Sequence, residues 1–259
     1  MVAGDKACGV RLEDGREFRA RAVAANVNPK LLFGKLLDKS NVPPEFYARM
    51  MNWRCTSGTF RMNVALRELP DFTCLPGKIQ AGHHTAGIIL APDVEYMERA
   101  YIEARQNGWS QNPVVEMLIP STIDSTLAPS DHHVASLFCQ HFDYDLPGDR
   151  SWDDEREAAA DVIIDTVNRF APNFSDAVIA RQILSPLDLE RDFGLIGGDI
   201  FHGALDLNQL FSLRPTLGYA DYHMPLEGLY LCGSGAHPGG GVTGAPGHNA
   251  AREILRELK

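Results

Sequence analysis

The segment from Gly228 to Ala251, GLYLCGSGAHPGGGVTGAPGHNAA, constrains the fold more than any other part of the chain. Leu229 to Cys232 is an apolar run of strand length. It opens into a loop with five glycines between Gly233 and Gly241, and then into a small-residue helix that continues toward the C-terminus. Glycine removes the Cβ that keeps a backbone away from its surroundings, and a helix start directs free N–H groups outward. A strand, a glycine-rich turn and a helix in that order form one side of a site for a large planar or anionic ligand. The structural alternative is a glycine turn that holds nothing.

The segment is not a complete dinucleotide-binding unit. Gly239-x-Gly241-x-x-Gly244 matches the fingerprint formally. The fingerprint also needs a second strand and an acidic residue about 20 positions further on, and the sequence ends at Lys259. Gly233-x-Gly235 follows the strand directly, but Pro238 stands where the third glycine belongs. Gly233-Ser234-Gly235 is not a nucleophile elbow either, because Cys232 occupies a position where G-x-S-x-G needs glycine. A hydrolase reading is therefore poor.

Composition narrows the partners. With 259 residues, 44% hydrophobic and 22% charged, the chain is long enough for one large or two small globular domains. Its net charge of −10 argues against nucleic acid, whose phosphates need clustered Lys and Arg. The densest acidic run, Asp153, Asp154, Glu155 and Glu157, reads as a solvated helix start. Cysteines stand at 8, 55, 74, 139 and 232, with no C-x-x-C spacing, so neither a zinc ribbon nor a redox dithiol is indicated. Free thiols in the cytoplasm or another reducing compartment are the expectation. No basic stretch followed by an apolar run marks a signal peptide, and runs such as Ile88-Ile89-Leu90-Ala91 are too short for an integral membrane segment. His83-His84 and His132-His133 do not imply a metal, since neighbours in a strand point to opposite faces.

Local patterns place the remaining elements. Asp14-Gly15 between alternating arms, residues 10–13 and 16–19, signals a hairpin, and residues 22–26 a short buried strand. Pro43-Pro44 opens a helix through Met51, and alternation at Phe60, Met62, Val64 and Leu66 marks a half-buried strand. Further strands are expected at 84–91, 114–119, 133–140 and 177–184. A helix is expected at 93–107, with Val94, Met97, Tyr101 and Ala104 as its apolar stripe and Gly108 as its stop. A longer one runs from Ser151 to Phe170, its stripe Val162, Ile163, Val167 and Phe170. Together they predict an α+β fold with a mainly antiparallel sheet.

The segment LYLCGSGAHPGGGVTGAPGHNAA resembles the C-terminal flavin-binding signature of phytoene-desaturase-like, FAD-dependent oxidoreductases. Within that group the chain is most similar to the branch of pyridine nucleotide-disulphide oxidoreductase domain-containing protein 2. The resemblance extends through SPLDLERDFGLIGGDIFHGALDLNQLF, VVEMLIPSTIDSTLAPSDHHVASLFCQ and GVRLEDGREFRARAVAANVNP, so it covers nearly the whole chain. Family members begin with a βαβ unit carrying G-x-G-x-x-G, which is absent here. The resemblance therefore implies a C-terminal fragment that lacks its true N-terminus.

It also implies a substrate domain flanked by pieces of an incomplete Rossmann-like FAD domain. Residues 1–28 would be the middle FAD piece, 29–220 the substrate domain and 221–259 the C-terminal FAD piece. Gly233 and Ser234 would lie beside the ribityl-phosphate of FAD. Gly241, Val242, Thr243 and Gly244 would meet the pyrimidine edge of the flavin, and Gly240 would also belong to the cofactor-binding loop. His237 would face flavin or substrate, or serve as a hydrogen-bonded structural residue, and His248 is a weaker candidate. FAD would belong to the full-length enzyme and be absent from this fragment, which would be inactive by itself. The flavin accepts hydride, so no catalytic residue is assigned. The expected substrate is an apolar or amine-like small molecule. The faces Phe60/Met62/Val64 and Val114/Met117/Ile119 read as sheet core or as the lining of an apolar tunnel. The alternative function is a flavin-free binding module that self-associates as a homodimer.

Overall fold

The computed structural model describes residues 1–56 and 58–259, which divide into two compact units, Met1–Ser57 with Gly194–Lys259 and Gly58–Phe193. The first unit opens with β1 (Val2–Ala3), β2 (Lys6–Ala7), β3 (Gly9–Arg11) and β4 (Glu17–Arg19). β3 and β4 form the hairpin that Asp14-Gly15 predicts, in the register Val10↔Phe18, with Gly15 at φ 89°. β5 (Val23–Ala25) follows, then α1 (Pro29–Leu31), which continues into a π turn over Leu32–Leu36, and α2 (Pro44–Met51). Asn28 starts α1 by accepting from the N–H of Lys30 at 2.8 Å.

The second unit is a five-stranded antiparallel sheet with helices. Its elements are β6 (Phe60–Leu66), β7 (Ile88–Leu90), α3 (Val94–Asn107), β8 (Trp109–Leu118), β9 (His133–Phe142), α4 (Trp152–Phe170), α5 (Phe174–Ala177), β10 (Val178–Leu184) and α6 (Pro186–Phe193). The strand order is β10-β6-β9-β8-β7, every pair antiparallel. Phe60, Met62, Val64 and Leu66 are buried while the residues between them are half-buried, so the alternation in β6 sets which side faces the core. That core also holds Met117, Ile119, Ile163 and Val167, so Phe60, Met62, Val64, Met117 and Ile119 are packed sheet core, while Val114 is buried outside this cluster. Burying each such side chain contributes about 1.5–3 kcal/mol. Phe60, Phe142, Trp109 and Trp152 close one end of the core, with Trp152 5.3 Å from Trp109 and 5.9 Å from Phe60. Trp152 satisfies its indole N–H on the carbonyls of Asp143 and Tyr144, both at 3.1 Å.

α4 buries Ile163 and Val167 as its stripe predicts, and Ser151 accepts from the N–H of Asp154 at its start. α3 departs from expectation. Val94, Met97 and Tyr101 are exposed, and the buried residues are Ala100 and Ala104. Alanines let the helix lie close to β8, and Tyr96 spans the gap by donating to the carbonyl of Pro113 at 3.1 Å. His83 and His84 differ as well. They sit on a 3-10 turn, Gly82–Thr85, rather than on a strand, and their rings touch at a tilt of 42° with centroids 3.9 Å apart.

The chain returns to the first unit through short turns and ends in β11 (Leu229–Leu231) and α7 (Ala245–Glu257). β11 pairs in parallel with β5, Leu229↔Val23 through Leu231↔Ala25. Residues 29–56 and 194–220, expected in the substrate domain, pack within this unit. The reason is a shared core, in which Phe33, Phe46 and Met50 pack with Ala25, Leu229 and Leu231, and the two segments also bond to each other: the indole of Trp53 donates to the carbonyl of His202 at 2.8 Å. Gln209 accepts from the N–H of Arg54 at 2.8 Å and donates to its carbonyl at 3.0 Å.

Candidate functional site

The site is built where β11 ends beside β5. All three residues of β11 are buried, and the N–H of Cys232 continues the ladder to the carbonyl of Ala25 at 3.0 Å. Past that point the loop lies too close to its neighbours for side chains. A Cβ on Gly233 would stand 2.0 Å from the Asn26 amide oxygen, and one on Gly235 2.5 Å from Cδ of Pro29. On Gly240 it would meet the Phe201 ring at 2.4 Å. Gly241 and Gly244 are glycines for a different reason, with φ of 129° and 70°. Val242 holds φ 55°, a costly conformation for a β-branched residue, and is fully exposed. Thr243 accepts from the N–H of Ala245 at 3.1 Å and so begins α7, with Pro246 in its first turn.

The expected site residues thus form one continuous surface with two parts. Gly233 is buried and Ser234, His237 and Gly240 are half-buried, whereas Gly241, Val242, Thr243 and Gly244 stand exposed at the start of α7. His248 is exposed one turn into the helix. Nδ1 of His237 is buried and has no hydrogen-bond partner among the described residues.

Arg214 fixes this loop, and no sequence pattern announced it. Its guanidinium is fully buried. It donates twice to the carbonyl of Ser234, at 2.7 and 2.9 Å, and to those of Phe201 (2.8 Å), Gln209 (3.1 Å), Gly203 (3.2 Å) and Ala204 (3.3 Å). The Trp53 ring lies 5.3 Å away. Burial pushes the Arg214 pKa down and nearby Asp199 pulls it up, but a guanidinium stays charged. The planar fork matches several carbonyl dipoles at once, so a cation is held behind the glycine loop.

Around it lie other polar groups that the sequence left unmarked. The Asn28 amide donates to Sγ of Cys55 at 3.3 Å, and burial raises the Cys55 thiol. His202 has a pKa lowered first by burial, and its Nδ1 has no partner among the described residues. On α7, Glu257 accepts from the Tyr230 hydroxyl and approaches Nε2 of His223 at 2.8 Å. Burial, then Glu257, pushes Tyr230 up to about 12. Chemically, the loop offers a backbone cradle, a helix start and a buried cation, a combination suited to a flat or anionic group.

Across 98% of its length the chain is 44% identical to mouse pyridine nucleotide-disulfide oxidoreductase domain-containing protein 2. The chain is a homologue of that protein. It covers 45% of the mouse sequence, so it spans about half the length of the curated relative it matches. A more distant homologue is the chloroplastic prolycopene isomerase of Arabidopsis thaliana, 27% identical over 98% of this chain and 40% of that protein. No family model matches. An oxidoreductase from Methanosarcina mazei shares the fold, with a TM-score of 0.57 at 15% identity over 99% of this chain and 47% of that one. The mixed α/β fold, with its antiparallel sheet and helices, therefore resembles known oxidoreductase folds, and the similarity to oxidoreductases is at family level.

All five cysteines are free. Among the described residues no helix is long and apolar enough to cross a membrane. No group of three or more His, Cys, Asp or Glu among them is placed to hold a metal ion.

Proposed function

We propose that the chain forms the substrate-domain and C-terminal FAD-domain part of an FAD-dependent oxidoreductase. The observation that carries this reading is the Arg214-locked glycine loop at the end of the parallel β5–β11 pair, leading into α7. Its fit to FAD rests on the open, positive-φ backbone at Gly241 and Gly244, with no outside atom closer than 3.7 Å to a Cβ built there, and on the orphaned Nδ1 of His237. In the proposal, Gly233 and Ser234 border the ribityl-phosphate, and Gly240, Gly241, Val242, Thr243 and Gly244 border the flavin ring. FAD, when bound, supplies a two-electron acceptor for hydride from an apolar or amine-like substrate. The chain's own part is to hold and orient. Backbone N–H groups at the start of α7 favour negative charge there, and the Arg214 cation adds to that field.

The test is flavin content in the full-length enzyme. Gly241→Val and Gly244→Val should each lower it well below Ser234→Ala, because a branched residue is strained at φ of 129° or 70°. Full flavin occupancy in both valine variants would overturn the reading.

One observation favours a second reading, a flavin-free module that self-associates. Among the described residues β5 pairs only with β11, so its Ala24 edge is open. Beside that edge lies a groove of about 680 Å³ lined by Val2, Val10, Val27 and Leu36. An open edge next to apolar surface invites a second copy.

A further inference from the structure

The second unit carries a pocket that the oxidoreductase reading does not use. It lies along the outer edge of β7 and has a volume of about 280 Å³. Phe72, Leu75, Ile88, Leu90, Pro92 and Phe170 supply apolar walls, with His83 and the exposed thiol of Cys74 as the titratable groups that line it. No Lys, Arg, Asp or Glu lines it.

The turn that presents His83 is built rigidly. His84 is fully buried beneath it. Nδ1 of His84 accepts from the N–H of Ala81 at 3.2 Å, which leaves the proton on Nε2 to donate to the carbonyl of Pro70 at 3.0 Å. Thr122 donates to the His84 carbonyl at 3.1 Å. His83 packs at a tilt against that fixed ring and makes an edge contact with Phe72, centroids 6.1 Å apart. Its Nε2 is buried and has no partner among the described residues. The ring as a whole is half-buried and forms part of the pocket lining. Burial, then His84, holds the His83 pKa down, so the imidazole is neutral near pH 7.

We propose that this pocket binds a neutral, flat, mainly apolar molecule bearing one hydroxyl group, which hydrogen-bonds to Nε2 of His83. The walls disfavour charged ligands, because no Lys, Arg, Asp or Glu among them could pair with a charge. A neutral imidazole nitrogen is a donor or an acceptor according to tautomer, and a hydroxyl can answer both. A cavity of about 150 Å³ accommodates benzene, so this volume suits a two-ring group. The proposal goes beyond the oxidoreductase reading and does not depend on it.

The probes are 2-naphthol and its hydroxyl-free analogue 2-methylnaphthalene, titrated against the full chain. Binding is followed by calorimetry and by protection of Cys74 from iodoacetamide, read by mass spectrometry. 2-Naphthol should bind about fivefold more tightly, the factor expected of one neutral hydrogen bond, and at saturation should slow Cys74 alkylation. In His83→Phe the two probes should bind alike, and in Ala86→Trp, which fills the mouth, neither should bind. Equal affinities in the native chain, a preference that survives His83→Phe, or unchanged Cys74 alkylation at saturation would each overturn the proposal. Should His83→Phe fail to fold, as seen by circular dichroism, the native chain's preference and Cys74 protection decide alone.

Discussion

Replacing Arg214 tests whether the glycine loop is held by a buried cation or only by its own turns. Arg214→Met keeps most of the volume and removes the donors to five buried or half-buried carbonyls, those of Phe201, Gly203, Ala204, Gln209 and Ser234. Gln209 still donates to the Ala204 carbonyl at 3.2 Å, so four acceptors are left without a partner, and at about 1 kcal/mol each the loss is about 4 kcal/mol. Some returns, because methionine need not be stripped of the water that a guanidinium loses on burial. A net destabilisation of about 3 kcal/mol is the expectation. Arg214→Lys keeps the charge but has three donors on one nitrogen, which cannot span carbonyls spread across a plane, so it should recover less than half of that loss. Urea unfolding gives the stability. Hydrogen exchange on peptides covering residues 203–210 and 233–241 gives the location, since the N–H groups of Ala236, Gly239 and Gln209 are bonded inside these loops. A methionine variant with an unchanged urea midpoint and unchanged exchange in both peptides would refute the reasoning.

Two further outcomes follow from charge and from the open edge. His83, His133, His141 and His202 all have pKa values lowered first by burial. Below the unfolded value of about 6.5 the unfolded chain binds more protons than the folded one, so stability should fall from about pH 7 to pH 5. His141→Gln should flatten that slope in urea titrations, and a midpoint constant across the range would contradict the assignment. The chain should also form a dimer at micromolar concentration through the open edge of β5, measured by light scattering. A clean monomer mass would remove the self-association reading.

Several elements were legible because short-range physics decides them. Asp14-Gly15 makes a hairpin through its own backbone preference, and Gly108 at φ 90° ends α3. Ser151 caps α4, and β6 buries every second residue. The glycines of 233–244 marked the candidate site for the same reason, since a missing Cβ is visible in sequence wherever its use lies. What the sequence left open depends on partners far along the chain. The stripe of α3 held at Ala104 and was misread at Val94, Met97 and Tyr101, because Ala100 has less area to bury than they do yet allows the closer approach to β8. The histidine pair became a 3-10 turn once the carbonyl of Pro70 and the N–H of Ala81 had claimed His84. β5 and β11 come from opposite ends of the chain, and only folding sets their parallel register. Arg214 is the sharpest case. Its role lies in the convergence of carbonyls from Phe201 through Ser234 on one guanidinium, and a backbone carbonyl has no residue type for a sequence to display.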